Sequence, residues 1–83
     1  MESLLLTFSS VSYTMKAETL LTEKGYPIKI IPTPRQISDS CGLSIQMNYQ
    51  DVDKVKEMKE ELSVANLWKF IKNEGQVLVE QVG

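Results

Sequence analysis

Apolar residues recur along this chain in two rhythms, one suited to helices and one to strands. Ser3 to Phe8 is a short apolar run that predicts a buried strand. Ser9 and Ser10 follow, and either can cap a helix. Tyr13, Ala17, Leu20 and Leu21 then fall at i, i+4, i+7 and i+8, one face of that helix. Gly25 stands where a helix ends. Tyr26 to Ile31 predicts a second strand. Leu43, Ile45, Met47 and Tyr49 alternate with Ser44, Gln46 and Asn48, which predicts a strand with one wet face. Asp51 can cap a second helix that buries Val52, Val55, Met58 and Leu62 and turns its lysines and glutamates to solvent.

The last third of the chain admits two readings. Val64, Leu67, Trp68 and Ile71 fit a helical face, while Trp68 and Phe70 fit strand alternation. A strand near Asn66 to Lys72 is favoured, because the first half of the chain needs a partner strand. Asn73-Glu74-Gly75 reads as a turn, and the valine-rich Gln76 to Val82 as a fifth strand. The order β-α-β-β-α-β implies a single α+β domain over residues 1–83. With right-handed crossovers it becomes a ferredoxin-like antiparallel sheet, two helices on one face, plus an extra C-terminal strand.

Composition narrows the chemistry. Nine basic residues against eleven acidic ones leave 83 residues with a net charge of −2. That balance argues against a nucleic-acid footprint. No histidine is present, which removes Ser-His-Asp and Cys-His catalysis. One cysteine can form neither an internal disulfide nor a thiolate-rich zinc site. It suits a reducing cytoplasm. Leu4-Leu5-Leu6 is too short for a signal peptide or a membrane span, and no basic residue precedes it. The expectation is a cytoplasmic protein with no metal, cofactor, nucleic-acid or membrane partner. A chain this short is marginal alone, and the apolar last strand is an edge, so self-association as a homodimer is expected.

The candidate chemistry gathers in Ile31-Pro32-Thr33-Pro34-Arg35-Gln36-Ile37-Ser38-Asp39-Ser40-Cys41-Gly42. This segment holds two of the three prolines, the only arginine and the only cysteine. The prolines stiffen it, and Gly42 frees the backbone just after the thiol. In the expected topology this loop lies at the sheet end where the first helix begins, so Cys41 should sit near Ser9 and Ser10. Helix-start N–H groups there lower a thiol pKa and favour an anion. Each residue also has a plainer reading. Cys41 can be a small buried residue at a strand start. Arg35 can form a surface ion pair with Asp39. Ser38 and Ser40 can donate to a bound anion, or satisfy turn backbone.

Pro32-Thr33-Pro34-Arg35, then Ile37-Ser38, then Ser40-Cys41-Gly42, resembles the loop of a small bacterial family of selenium/sulfur carrier-like proteins, a domain of unknown function. Phe8-Ser9, the Ala17/Glu18/Leu21 pattern and Gly25 are similar to it as well, so the likeness covers roughly Leu5 to Asp53. The Gln76–Val82 strand adds nothing to it and reads as a local extension. The resemblance implies that Cys41 is a carrier thiol holding sulfur or selenium as a persulfide or selenosulfide. It implies that Arg35 is the nearby cation. The donor would be an enzyme such as a cysteine desulfurase, and the carrier itself would not be an enzyme. The Cys-Pro pair of better-understood small sulfur carriers is missing. Two other functions compete: a regulatory module that binds a small ligand at this loop, and a structural interaction protein.

Overall fold

The computed structural model describes residues 2–37 and 42–82. The chain is α+β: five strands form one antiparallel sheet, accompanied by three helices. The strands are β1 (Glu2–Thr7), β2 (Ile28–Pro32), β3 (Leu43–Asn48), β4 (Asn66–Asn73) and β5 (Gln76–Gln81). The helices are α1 (Val11–Glu23), α2 (Val52–Glu57) and α3 (Lys59–Leu62). The sheet order is β2-β3-β1-β4-β5, so the Leu-rich β1 is central.

Pairing register decides which side chains share a face. Leu4 and Leu6 of β1 stand opposite Met47 and Ile45 of β3, and Leu6 opposite Leu67 of β4. With Ala17, Leu21, Val55 and Leu62 from the helices these make the apolar core, each no more than 4 % exposed. Ser3, Leu5 and Thr7 point to the other face, alongside Ser44 and Gln46 of β3 and Trp68 and Phe70 of β4.

Helix α1 is fixed at both ends. Ser10 Oγ accepts from the Tyr13 N–H at 3.2 Å. At the other end the Gly25 N–H donates to Thr22 O and the Tyr26 N–H to Leu21 O. That double closure needs a left-handed residue, and Gly25 supplies it with φ 86°. The buried stripe differs from the sequence expectation. It runs through Thr14, Ala17 and Leu21, while Tyr13 is 46 % exposed. At 100° per residue Tyr13 lies about 70° from the centre of that stripe. Thr14 can be buried because its hydroxyl donates back to Ser10 O at 3.1 Å.

The second helical stretch also departs from the expectation of one helix capped by Asp51. Asn48 caps a 3-10 turn, Tyr49–Asp51, by accepting from the Gln50 N–H, and Asp51 makes no side-chain cap bond. The helix then breaks at Met58 (φ −98°, ψ 8°) into α2 and α3. Val55 and Leu62, seven positions apart, are both fully buried, so the two pieces keep one apolar face on the core across the break. The helical arrangement therefore differs from two plain helices, and β5 extends the sheet at one edge.

The favoured strand at Asn66 is present, and Glu74 (φ 49°) and Gly75 (φ 82°) make a two-residue hairpin turn into β5. Pro32, placed in the loop by sequence, is the last residue of β2 opposite Leu43. The wet face expected for β3 is dry at one end, where Ser44 is fully buried. The reason lies in the loop that follows β2. No helix among the described residues is long and apolar enough to cross a membrane.

Candidate functional site

The connection from β2 to β3 is clasped at its base. The Thr33 N–H donates to Gly42 O at 3.0 Å, one rung beyond the Pro32–Leu43 pair. Pro34 keeps Thr33 extended, because its ring disfavours helical angles in the preceding residue. Gly42 closes the other side with φ 85°. A Cβ built there meets nothing within 4 Å, so the requirement for glycine is conformational rather than steric. The two hydroxyls of Thr33 and Ser44 then lie 2.6 Å apart, one donating to the other.

Beyond the clasp the chain turns sharply. The Ile37 N–H donates to Pro34 O at 3.0 Å, which puts Arg35 and Gln36 at the two middle positions of a β-turn. Ile37 is tucked away at 8 % exposure. Gln36 reaches across the sheet, its Nε2 donating to Val77 O of β5 at 2.9 Å. The turn thus lies over the face of the sheet that carries no helix. Beneath and beside it is an open groove of about 580 Å³. Ile31, Pro34, Phe70 and Val77 supply its apolar walls, with the exposed Arg35 at its rim. No ion pair joins Arg35 to another described residue.

Polar side chains on this face are used up in pairs. Trp68 Nε1 donates to Thr7 Oγ1 at 2.9 Å, and Thr7 Oγ1 donates on to Asn66 O at 3.4 Å. Gln46 Nε2 donates to Ser3 Oγ at 2.9 Å. No buried side-chain nitrogen or oxygen among the described residues lacks a partner.

The sequence-predicted site divides under this geometry. Thr7 is paired to Ser44, and Pro32 to Leu43, so the β2–β3 connection does leave the sheet at the end where β1 departs for α1. Arg35 nevertheless lies on the helix-free face, while Ser9 and Ser10 open α1 on the other. Ser10 is occupied as the helix cap. Gly42 holds the base of the loop. Ser38, Ser40 and Cys41 lie outside the described residues, as does Asp39. Among the described residues no cluster of His, Cys, Asp and Glu could hold a metal ion.

Sequence reasoning missed Gln36, Phe70 and Val77. The alternation of β4 and β5 puts Phe70, Val77 and Val79 on one face, and that was readable. That the loop would cross the three strands between β2 and β5 was not, because it depends on a hydrogen bond spanning 41 positions of sequence.

No curated protein and no solved structure matches the chain. The family described as putative Se/S carrier protein-like matches residues 3–69, from β1 through the clasped loop into β4, and the chain belongs to that family.

Proposed function

We propose that the protein is a small thiol carrier of sulfur or selenium, with Cys41 as the carrying residue and no catalytic reaction of its own. The observation that carries this reading is family membership over residues 3–69, a span that contains the only cysteine of the chain. The clasp between Thr33 and Gly42 supports it, since Gly42 directly follows that cysteine. A segment tied at its base presents a thiol at lower entropic cost than a free loop.

The transfer is a thiol exchange without net oxidation. The Cys41 thiolate attacks the terminal sulfur of a persulfide on a donor enzyme such as a cysteine desulfurase. A sulfur–sulfur bond forms at Cys41, the donor's sulfur–sulfur bond breaks, and the donor cysteine leaves as a thiolate. Selenium would be carried in the same way as a selenosulfide. Delivery to an acceptor repeats the step in reverse. A ferredoxin-like core fits this reading: the order β2-β3-β1-β4 is what a βαββαβ chain adopts, with β5 appended. Ser38 and Ser40 are proposed as donors to the bound anion, within a reducing cytoplasm.

Intact mass spectrometry tests the proposal. After incubation with a cysteine desulfurase and cysteine, the chain should gain the mass of one sulfur atom, reversibly with dithiothreitol. Cys41→Ser should gain none while keeping its thermal melt. Absence of the adduct, or its persistence in Cys41→Ser, overturns the carrier reading.

A second reading rests on the groove. A volume of about 580 Å³ with apolar walls and one guanidinium suits a small ligand with an anionic group. In that case the protein is a ligand-binding module and Cys41 is incidental. Alkylation rates across pH separate the two. A carrier labels readily near neutral pH, and a structural cysteine labels slowly at every pH.

A further inference from the structure

We propose that the outer edge of β5 pairs antiparallel with β5 of a second copy of this chain, centred on Val79, to make one continuous sheet. The hydrogen-bond phase of the β4–β5 hairpin sets this up. The Val82 N–H donates to Leu67 O, so the pairs Leu67–Val82, Lys69–Glu80, Ile71–Leu78 and Asn73–Gln76 exchange the ladder bonds. Val77, Val79 and Gln81 therefore aim their N–H and C=O groups away from β4. The Gln36 side chain corroborates this independently, because it reaches Val77 O, a carbonyl the ladder leaves open.

The other edge of the sheet is closed to such pairing. The Thr33–Gly42 bond puts Ile28, Ile30 and Pro32 in the outward phase of β2, and Pro32 has no N–H. Pro27 precedes that strand and stiffens its entry. Among the described residues only β5 offers an uninterrupted row. It also carries Leu78, at 57 % the most exposed large hydrophobic among the described residues. The strand lies outside the family match, which ends at residue 69, so the family core does not by itself account for an apolar edge here.

The occupant is a second copy because the edge is complementary to itself. An axis through Val79 sets Val79 against the partner's Val79 and Val77 against the partner's Gln81, each pair exchanging two hydrogen bonds. Leu78 then faces the partner's Glu80, whose methylene stem can cover it. No two like charges stand opposite each other. The partner's Gln81 arrives beside Val77, on the groove side of the sheet. Val77 O has two lone pairs and accepts from it without releasing Gln36. The second copy would thus extend the groove wall under the Arg35 turn.

Sedimentation equilibrium on the full chain tests this, with amide hydrogen exchange as a second measurement. The wild type should be dimeric at high micromolar concentration, with slowed exchange at Val77, Val79 and Gln81. Val79→Pro removes one outward N–H and no ladder bond, and should weaken self-association on the order of 30-fold. Leu78→Lys, at a position 57 % exposed in the single chain, should weaken it as well while leaving the thermal melt little changed. A monomeric wild type, fast exchange at all three amides, or a dimer untouched by both substitutions overturns the proposal.

Discussion

The two faces of the sheet are stabilised by different forces. On the helix side Leu4, Leu6, Ile45, Met47 and Leu67 bury apolar surface against α1, α2 and α3. On the helix-free side Leu5 and Thr7 are as thoroughly buried, at 0 % and 1 %, yet their neighbours are Ser44, Gln46 and Trp68. There the order comes from paired hydroxyls and amides and from a loop laid across the strands. Apolar packing tolerates sliding and repacking, whereas a hydrogen-bonded network specifies geometry. The face that holds the fold and the face that bears the candidate site are therefore back to back on β1.

If that division is real, truncation on the helix side should cost most. Leu6→Ala removes a fully buried side chain between Ile45 and Leu67. It should destabilise by about 2–5 kcal/mol in urea unfolding, enough to unfold a marginal small domain. A cost near zero would mean that the helix face is not where stability resides.

The next largest effect belongs to the base of the loop that lies over the helix-free face. Gly42→Ala forces a Cβ into the left-handed region, at about 1–2 kcal/mol, although nothing crowds the site. Gly42→Asn should recover part of this, since asparagine tolerates that conformation. Equal costs for both would point to packing rather than backbone. A smaller effect tests the polar network. Thr7→Val leaves Trp68 Nε1 without its acceptor. Trp68 is only half-buried, so water can compensate in part and the loss should be about 1 kcal/mol. A shift in Trp68 fluorescence should accompany it, and its absence would remove Thr7 from the network.

The same division sets what could be read from sequence. Helix-side positions mostly follow periods of 3.6 and 2: Ala17, Leu21, Ile45 and Val55 were legible from spacing, and Leu4 and Leu6 only as part of a continuous apolar run. Tyr13 misled because Thr14, polar by type, is buried through its own back-bond to Ser10. Met58 misled because a kink leaves the apolar spacing intact. On the helix-free face the strand alternation holds, but residue type does not tell a buried position from a wet one. Ser44 looks like a solvent residue until Thr33, eleven positions earlier, supplies a hydroxyl at 2.6 Å. The loop motif is legible as a motif in the sequence alone, together with its resemblance to the carrier family. Its path over Phe70 to Val77 is not, since long-range contacts leave no local trace.

The smallest expected effect concerns Arg35, and it is the most informative about function. Arg35 is exposed and forms no ion pair with a described residue, so Arg35→Ala should leave the thermal melt unchanged. Its importance would be electrostatic. The clasp between Thr33 and Gly42 closes a short loop that contains both Arg35 and Cys41, which bounds how far apart the two can be. Across such a distance the attraction between guanidinium and thiolate is weak and partly screened. Arg35→Ala should raise the pH midpoint of Cys41 alkylation by a fraction of a unit up to about one unit. Arg35→Lys should restore most of that shift, since charge at long range matters more than a planar fork. Raising the salt to about 1 M shrinks the screening length to about 3 Å and should merge the three profiles. Profiles that superpose even at low salt would sever Arg35 from the thiol and leave it to the rim of the groove, where a guanidinium suits an anionic ligand.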